Sequence, residues 1–316
     1  MIFCWPQPMI ERNTVLILGA GASSPFGFSL GRELADKIAD SLFEPTETEV
    51  GKRLLECYYP PRQLKDFAAK LRGSHRDSVD AFLEDNRDNP NFLRIGKTAI
   101  KVTLMRYEDP NAFQDGNWYR TLSNRMQAPS FPEFEKNKLG VITYNYDRSL
   151  EYYLCDKLRS AYGKDKSECC AKISKVPIVH LHGKMDDFLE RTANGDPTPT
   201  YRRYETRFDC MAAMRPVNDI KIPHENIQNE PQFVEAQKLL KEAEVVCFLG
   251  FGYDQRNIER LLNPPGILNG KKVFCSAFKL SLARVDQAKE LLGQNAKWGS
   301  KDEDCFKFLE TYRVLA

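Results

Sequence analysis

Three things are scarce in this sequence, and each absence closes off a class of function. No apolar run approaches the roughly 20 residues that a membrane-spanning helix requires, so no spanning segment is expected. Neither sign of charge prevails. The 46 basic and 44 acidic residues leave a net charge of +2, which gives no electrostatic argument for a nucleic-acid or membrane-surface partner. The nine cysteines, at 4, 57, 155, 169, 170, 210, 247, 275 and 305, include no Cys-x-x-Cys pair. Structural zinc favours such short paired spacing, so the thiols read as reduced, small apolar groups and no metal is expected. The opening stretch "MIFCWPQPMIERN" is broken by proline and followed by no small-residue cleavage site, against a secretory signal. A cytoplasmic chain is the expectation.

A fourth absence lies inside the most suggestive stretch, "TVLILGAGASSPFG" at 14–27. A short apolar run ends in Gly19-Ala20-Gly21. The dinucleotide fingerprint Gly-x-Gly-x-x-Gly follows a strand and opens a helix, but here Ser24 stands at the third glycine and Pro25 follows. A redox nicotinamide site also needs a second strand carrying an acid about 20 residues on. At that distance Asp40 and Glu44 are available, with no strand to hold them. Hydride transfer is thereby weakened, while a diphosphate turn and a plain strand-to-helix turn both stay open.

What is present alternates. Val15–Leu18 reads as a buried parallel strand, and Ser29 as a cap for a helix over 30–42, where Leu30, Leu34, Ile38 and Leu42 share a face. Residues 50–135 are charged and helical in pattern, with no convincing strand and with Ser78 as a further cap. Strands are expected at 139–145 and 176–183, in "EVVCFLGFG" and in "KKVFCSAF". Helices are expected after them, one capped by Asp147 and one by Asp254, with an amphipathic helix in "DEDCFKFLETYRVL". The polar stretch 184–230 reads as loop with short elements. This alternation predicts an α/β fold: a Rossmann-like parallel sheet with helices on both faces. The sheet domain would comprise 1–49 and 136–316, and 50–135 would be a helical insertion packed over the site.

Ligands of such sheets bind beyond the carboxyl ends of the strands, and the polar signals fall there. "TYNYD" (143–147) offers Asn145, able to donate to and accept from a ribose hydroxyl or water, and Asp147, an acceptor for a carboxamide; a helix cap and a turn asparagine explain them equally. "VHLHGK" (179–184) puts His180 and His182 on one strand face, His182 at the strand end, suited to general-base work. A two-histidine metal site lacks a third ligand. His75 and His224 read as structural. "FLGFGYDQRN" (248–257) supplies Gly250 and Gly252 as a nucleotide-binding or ordinary turn.

The order of these four elements resembles the sirtuin-like superfamily, and more closely the bacterial sirtuin-like proteins of antiphage defence, in which this domain degrades NAD. The resemblance spans about residues 14–280. It implies that Gly19, Ala20, Gly21 and Ser23 line the diphosphate and nicotinamide-ribose region, that Asn145 contacts ribose or water, that Asp147 lies near the nicotinamide carboxamide, that His182 is catalytic, and that Gly250 and Gly252 lie by the adenosine. The four-cysteine zinc module and the Pro-Asp-Phe-Arg segment of deacylating sirtuins are missing, the latter replaced by "SSPFGFS". The implied activity is therefore cleavage of the nicotinamide–ribose bond, with NAD as substrate, homo-oligomerisation, and a separately encoded partner such as a P-loop translocase supplying regulation. The alternatives are an NAD or ADP-ribose sensor acting through a partner, and a protein deacylase.

Overall fold

The structure is a computed structural model that describes residues 9–113, 117–189, 202–208, 213, 220–222 and 230–316. Its centre is a six-stranded, all-parallel sheet in the order β3-β2-β1-β4-β5-β6. The strands are β1 (Thr14–Leu18), β2 (Leu139–Thr143), β3 (Ile178–His180), β4 (Val245–Leu249), β5 (Lys272–Cys275) and β6 (Lys297–Trp298). This is the strand order of doubly wound dinucleotide-binding folds, whose ligand crevice opens where the order reverses. Here that point lies between β1 and β4.

Each central strand is buried throughout. Alternate residues feed two apolar cores, as a sheet covered on both faces requires. Leu16, Leu18, Val141, Cys247 and Leu249 enter one core. Val15, Ile17, Ile142, Val246 and Phe248 enter the other.

Between β1 and β2 the described residues form helices and no strand, as their composition predicts. These are α1 (Ala20–Ser23), α2 (Gly31–Phe43), α3 (Glu49–Glu56), α4 (Pro61–Gly73), α5 (Val79–Asp85), α6 (Pro90–Met105) and α7 (Trp118–Met126). Phe67 of α4 meets Phe82 of α5 and Phe92 of α6 edge to face, and Phe82 and Phe92 pack at a tilt. Beyond β2 come α8 (Ser149–Tyr162), α9 (Lys166–Ile173), α10 (Pro231–Glu242), α11 (Gln255–Leu261), α12 (Leu282–Leu292) and α13 (Cys305–Tyr312). No helix among the described residues is long and apolar enough to cross a membrane.

Several local expectations hold. The Ser78 and Asp254 side chains accept from the amides of Ala81 and Asn257, capping α5 and α11. The seven cysteines among the described residues are buried and form no disulfide; Cys4 and Cys210 lie outside the described residues, as do His224 and much of the polar 184–230 stretch. Others are corrected. Ser29 does not cap α2, which starts from Leu30; its hydroxyl accepts from Lys37 Nζ instead. Asp147 stands one residue before the cap position of α8, although its Oδ1 does accept from the Ser149 amide. Strand β6 had no apolar run to announce it, because two residues paired to the β5 edge suffice to form it.

Candidate functional site

A cleft of about 360 Å³ opens at the carboxyl ends of the central strands. That volume is within the range of small-molecule sites. Gly19 and Ala20 line it from the end of β1, Tyr144 and Asn145 from the end of β2, and His182 from just beyond β3. Phe251 and Gly252 line it from the end of β4, while Asp80 and Glu84 of α5 reach it from the helical block. The β2 strand ends at Thr143 and β3 at His180, both earlier than the apolar pattern suggests. Asn145 and His182 are therefore on the loops over the strand ends rather than in the ladder.

The glycines have a packing reason that outweighs flexibility. The Gly19 amide donates to the Leu249 carbonyl at 3.1 Å, and the Gly21 amide to the Gly250 carbonyl at 2.9 Å. A Cβ on Gly19 or Gly21 would sit within 2.8 Å of the Gly250 carbonyl oxygen, and one on Gly250 would sit 2.1 Å from the Ala22 nitrogen. Gly250 also holds φ of +59°, a left-handed backbone open to glycine at little cost. The loops after β1 and β4 thus close on one another at the reversal point, and the Gly19 and Gly21 amides are committed within the protein. Gly252 differs: nothing lies within 4 Å of where its Cβ would be. Between them and α11, Tyr253 keeps φ of 54°, held by its hydroxyl donating to the Ser276 carbonyl at 2.9 Å.

Asn145 is fixed from several sides. Its amide nitrogen donates to the Gly19 carbonyl at 3.0 Å and to the Ser23 hydroxyl at 2.9 Å. With the NH2 so committed, the side-chain oxygen remains as an acceptor. Its backbone carbonyl accepts from His180 Nδ1 at 2.9 Å, and His180 Nε2 meets Glu151 Oε1 at 2.9 Å. Both partners of His180 offer acceptor oxygens, an arrangement that favours the doubly protonated, charged ring. Burial opposes that charge, but the Glu151 carboxylate and the Asn145 carbonyl raise His180 above its ordinary value. His180 is therefore a brace behind Asn145, and it does not share the role of His182.

His182 is in a different environment. Its ring stands edge-on to Tyr144, 5.1 Å between centroids, and Tyr144 packs on Phe251. Burial pushes its pKa down to about 4, aided by the Arg260 charge and opposed by Asp254. The ring is neutral near pH 7, as a general base must be. Its Nε2 is shielded and has no hydrogen-bond partner among the described residues.

Four other expected site residues stand behind the cleft wall. Gly21, Ser23, Asp147 and Gly250 do not line it. Asp147 is buried and accepts from the Ser149 hydroxyl as well as its amide. Burial raises its pKa, while the hydroxyls of Ser149 and Ser23 favour the charged form. Asn145, Ser23, Asp147 and Ser149 form one polar chain that ends at the Tyr119 hydroxyl, 2.7 Å from Ser149 Oγ.

No family model matches this chain. A search of curated proteins returns no match either.

Sequence reasoning did not single out Asp80, Glu84, Arg256 or Arg260. Glu84 of α5 pairs across the cleft with Arg260 and, at 3.4 Å, with Arg256 of α11. Arg32, Arg284, Asp77 and Asp254 add further charges to the walls. The available signal was the acidic face of "SVDAFLEDN", where Asp80 and Glu84 are four apart and so adjacent on a helix.

Proposed function

We propose that this chain is a sirtuin-like hydrolase that consumes NAD by cleaving its nicotinamide–ribose bond. The observation that carries the reading is the meeting, in one cleft at the β1–β4 reversal point, of Asn145 and a neutral His182 whose Nε2 has no hydrogen-bond partner among the described residues. That is where doubly wound sheets take dinucleotides. The cleft walls supply arginines for a diphosphate at Arg32, Arg256 and Arg284, aromatic faces at Tyr144 and Phe251, and open backbone at Gly252.

The chemistry asks little acid of the protein. Nicotinamide leaves with the electron pair of the breaking bond and becomes neutral, while the ribose passes through an oxocarbenium-like state. The Asn145 side-chain oxygen holds a ribose hydroxyl or the water. His182 takes a proton from the attacking water. Asp147, behind the wall, steadies Asn145 through Ser23 instead of meeting the carboxamide directly. In this reading the enzyme is an effector of antiphage defence, acting as a homo-oligomer and set off by a separately encoded partner.

Incubation of the purified protein with NAD, followed by product identification, tests the reading. Nicotinamide with ADP-ribose is the expected outcome. NAD binding without nicotinamide release identifies a sensor instead, and release that depends on an acyl-lysine peptide identifies a deacylase.

A further inference from the structure

Helix α5 brings a carboxylate to the histidine that the proposed reaction uses as its base. Asp80 Oδ1 is 3.8 Å from His182 Nδ1 and accepts a hydrogen bond from the Tyr146 hydroxyl. On the far side of the ring, Nε2 is buried and without a partner among the described residues. The two nitrogens thus differ: one looks toward an acceptor and the other toward none. A neutral imidazole keeps its proton on the nitrogen that has an acceptor to receive it. Unliganded sites commonly hold such pairs slightly too long, and they tighten when substrate is bound.

We propose that Asp80, supplied by the helical block and not by the sheet, is the positioning residue for His182: it fixes the Nδ1–H tautomer and leaves Nε2 as the proton acceptor. The kinetic consequence rests on the hydrolase reading, whereas the tautomer can be observed without it. In the reaction, the bond from ribose C1′ to the nicotinamide nitrogen breaks with both electrons going to nitrogen. The water oxygen bonds C1′, and one water proton passes to His182 Nε2. The imidazolium so formed sits against the Asp80 carboxylate until it returns its proton to solvent, and the Nδ1 proton never leaves. An ionised Asp80 stabilises that cation, as the buried aspartate of a serine-protease triad does for its histidine.

The surroundings tune both groups. Tyr146 donates to Asp80 and Glu84 acts on its charge; Arg260 and Asp254 act on His182; and Asp77, Tyr144, Arg32 and Arg256 line the same cleft. Burial raises Asp80 to about 7, and Glu84 adds to the rise. Arg256 and Arg260 hold Glu84 in an ion pair, which limits its repulsion. Asp80 therefore ionises as pH rises through neutrality, and kcat/KM for NAD rises with it.

The test is nitrogen-15 NMR of the histidine rings, tractable because the chain has four histidines, with His182→Gln giving the assignment. At pH 8 the wild-type ring is expected as the Nδ1–H tautomer. In Asp80→Ala no carboxylate oxygen faces Nδ1, so the preference for the Nδ1–H tautomer is expected to be lost. The same variant is expected to lose about 100-fold or more in kcat, with a much smaller change in KM. A wild-type Nε2–H tautomer, or an Nδ1–H preference unchanged in Asp80→Ala, overturns the proposal. Wild-type turnover in Asp80→Ala beside an inactive His182→Ala overturns it while leaving the hydrolase reading intact. A wild-type protein that never releases nicotinamide removes the hydrolase reading, and the tautomer still decides the role of Asp80. Should Asp80→Ala fail to fold, Tyr146→Phe serves. Loss of the donated hydrogen bond moves the kcat/KM limb to higher pH, and an unmoved limb contradicts the proposal.

Discussion

Gly250 and Gly21 touch backbone to backbone across the β1–β4 gap, the Gly21 amide donating to the Gly250 carbonyl at 2.9 Å. The contact makes glycine obligatory at both positions for reasons of space alone. Gly252, two residues on, lines the cleft instead, with nothing within 4 Å of where its Cβ would be.

That contrast gives the first prediction. Gly250→Ala drives a Cβ into Ala22 from a left-handed backbone and should cost about 3 kcal/mol or more, enough to compromise folding. Gly252→Ala meets empty space and should leave the melting temperature within a degree or two while raising KM for NAD. Thermal denaturation of the two variants checks this; equal destabilisation would contradict it.

A second prediction concerns charges buried far from water. Glu108 accepts from Arg148 at 2.9 and 3.0 Å and from Arg202, and Arg202 reaches Asp186 at 3.0 Å, which also holds Lys101 at 2.7 Å. All five are buried. Glu108→Ala removes the carboxylate that Arg148 and Arg202 share, leaving Arg202 its pair with Asp186, and should cost about 3–5 kcal/mol in chemical denaturation. A loss below about 1 kcal/mol would mean that water reaches the network.

The brace behind Asn145 should show in the pH dependence of stability. His180 is raised from 6.5, so its contribution is present below that value and is lost as pH climbs through the folded value. Burial would raise Glu151, but the charge and the hydrogen bond of His180, with the other favourable contacts, together lower it from 4.5. Its contribution is present above 4.5 and is lost as pH falls through the folded value. The pair therefore helps most between the two ordinary values. Glu151→Gln should destabilise the protein there by about 1–3 kcal/mol, with a smaller difference at pH 9. A difference independent of pH would contradict the ion pair.

Asp80 should trade stability for function. Its carboxyl is raised from 3.8 to about 7 by burial, so the folded protein binds the proton that the unfolded chain has released, and stability falls as pH rises from 4 to 7. Asp80→Asn removes that penalty. At pH 8 it should melt higher than wild type, by about 1–3 kcal/mol of stability. A lower melting temperature at pH 8 would show that the carboxylate is held by favourable contacts.

The legible part of this molecule was whatever local pattern encodes. Buried strands announce themselves as short apolar runs, and Ser78 and Asp254 as caps follow from side chains that bond the next turn. The four polar strand ends converge because a parallel sheet aligns its carboxyl ends on one edge. Contacts across the chain were not legible. Nothing local separates His180, ion-paired to Glu151, from His182, left neutral. The packing use of Gly21 depends on a loop more than two hundred residues away. Asp80 reaches His182 only because the helical block folds back over the sheet. The same distance explains why Asp147 looked like a ligand-facing acid and turned out to stand behind Asn145.

The most direct measurement is nicotinamide release from NAD by the purified protein, wild type against His182→Ala, with NAD binding followed in parallel. The account predicts steady release by wild type and a loss of about 100-fold or more in His182→Ala, with binding retained. Equal release by both would contradict it.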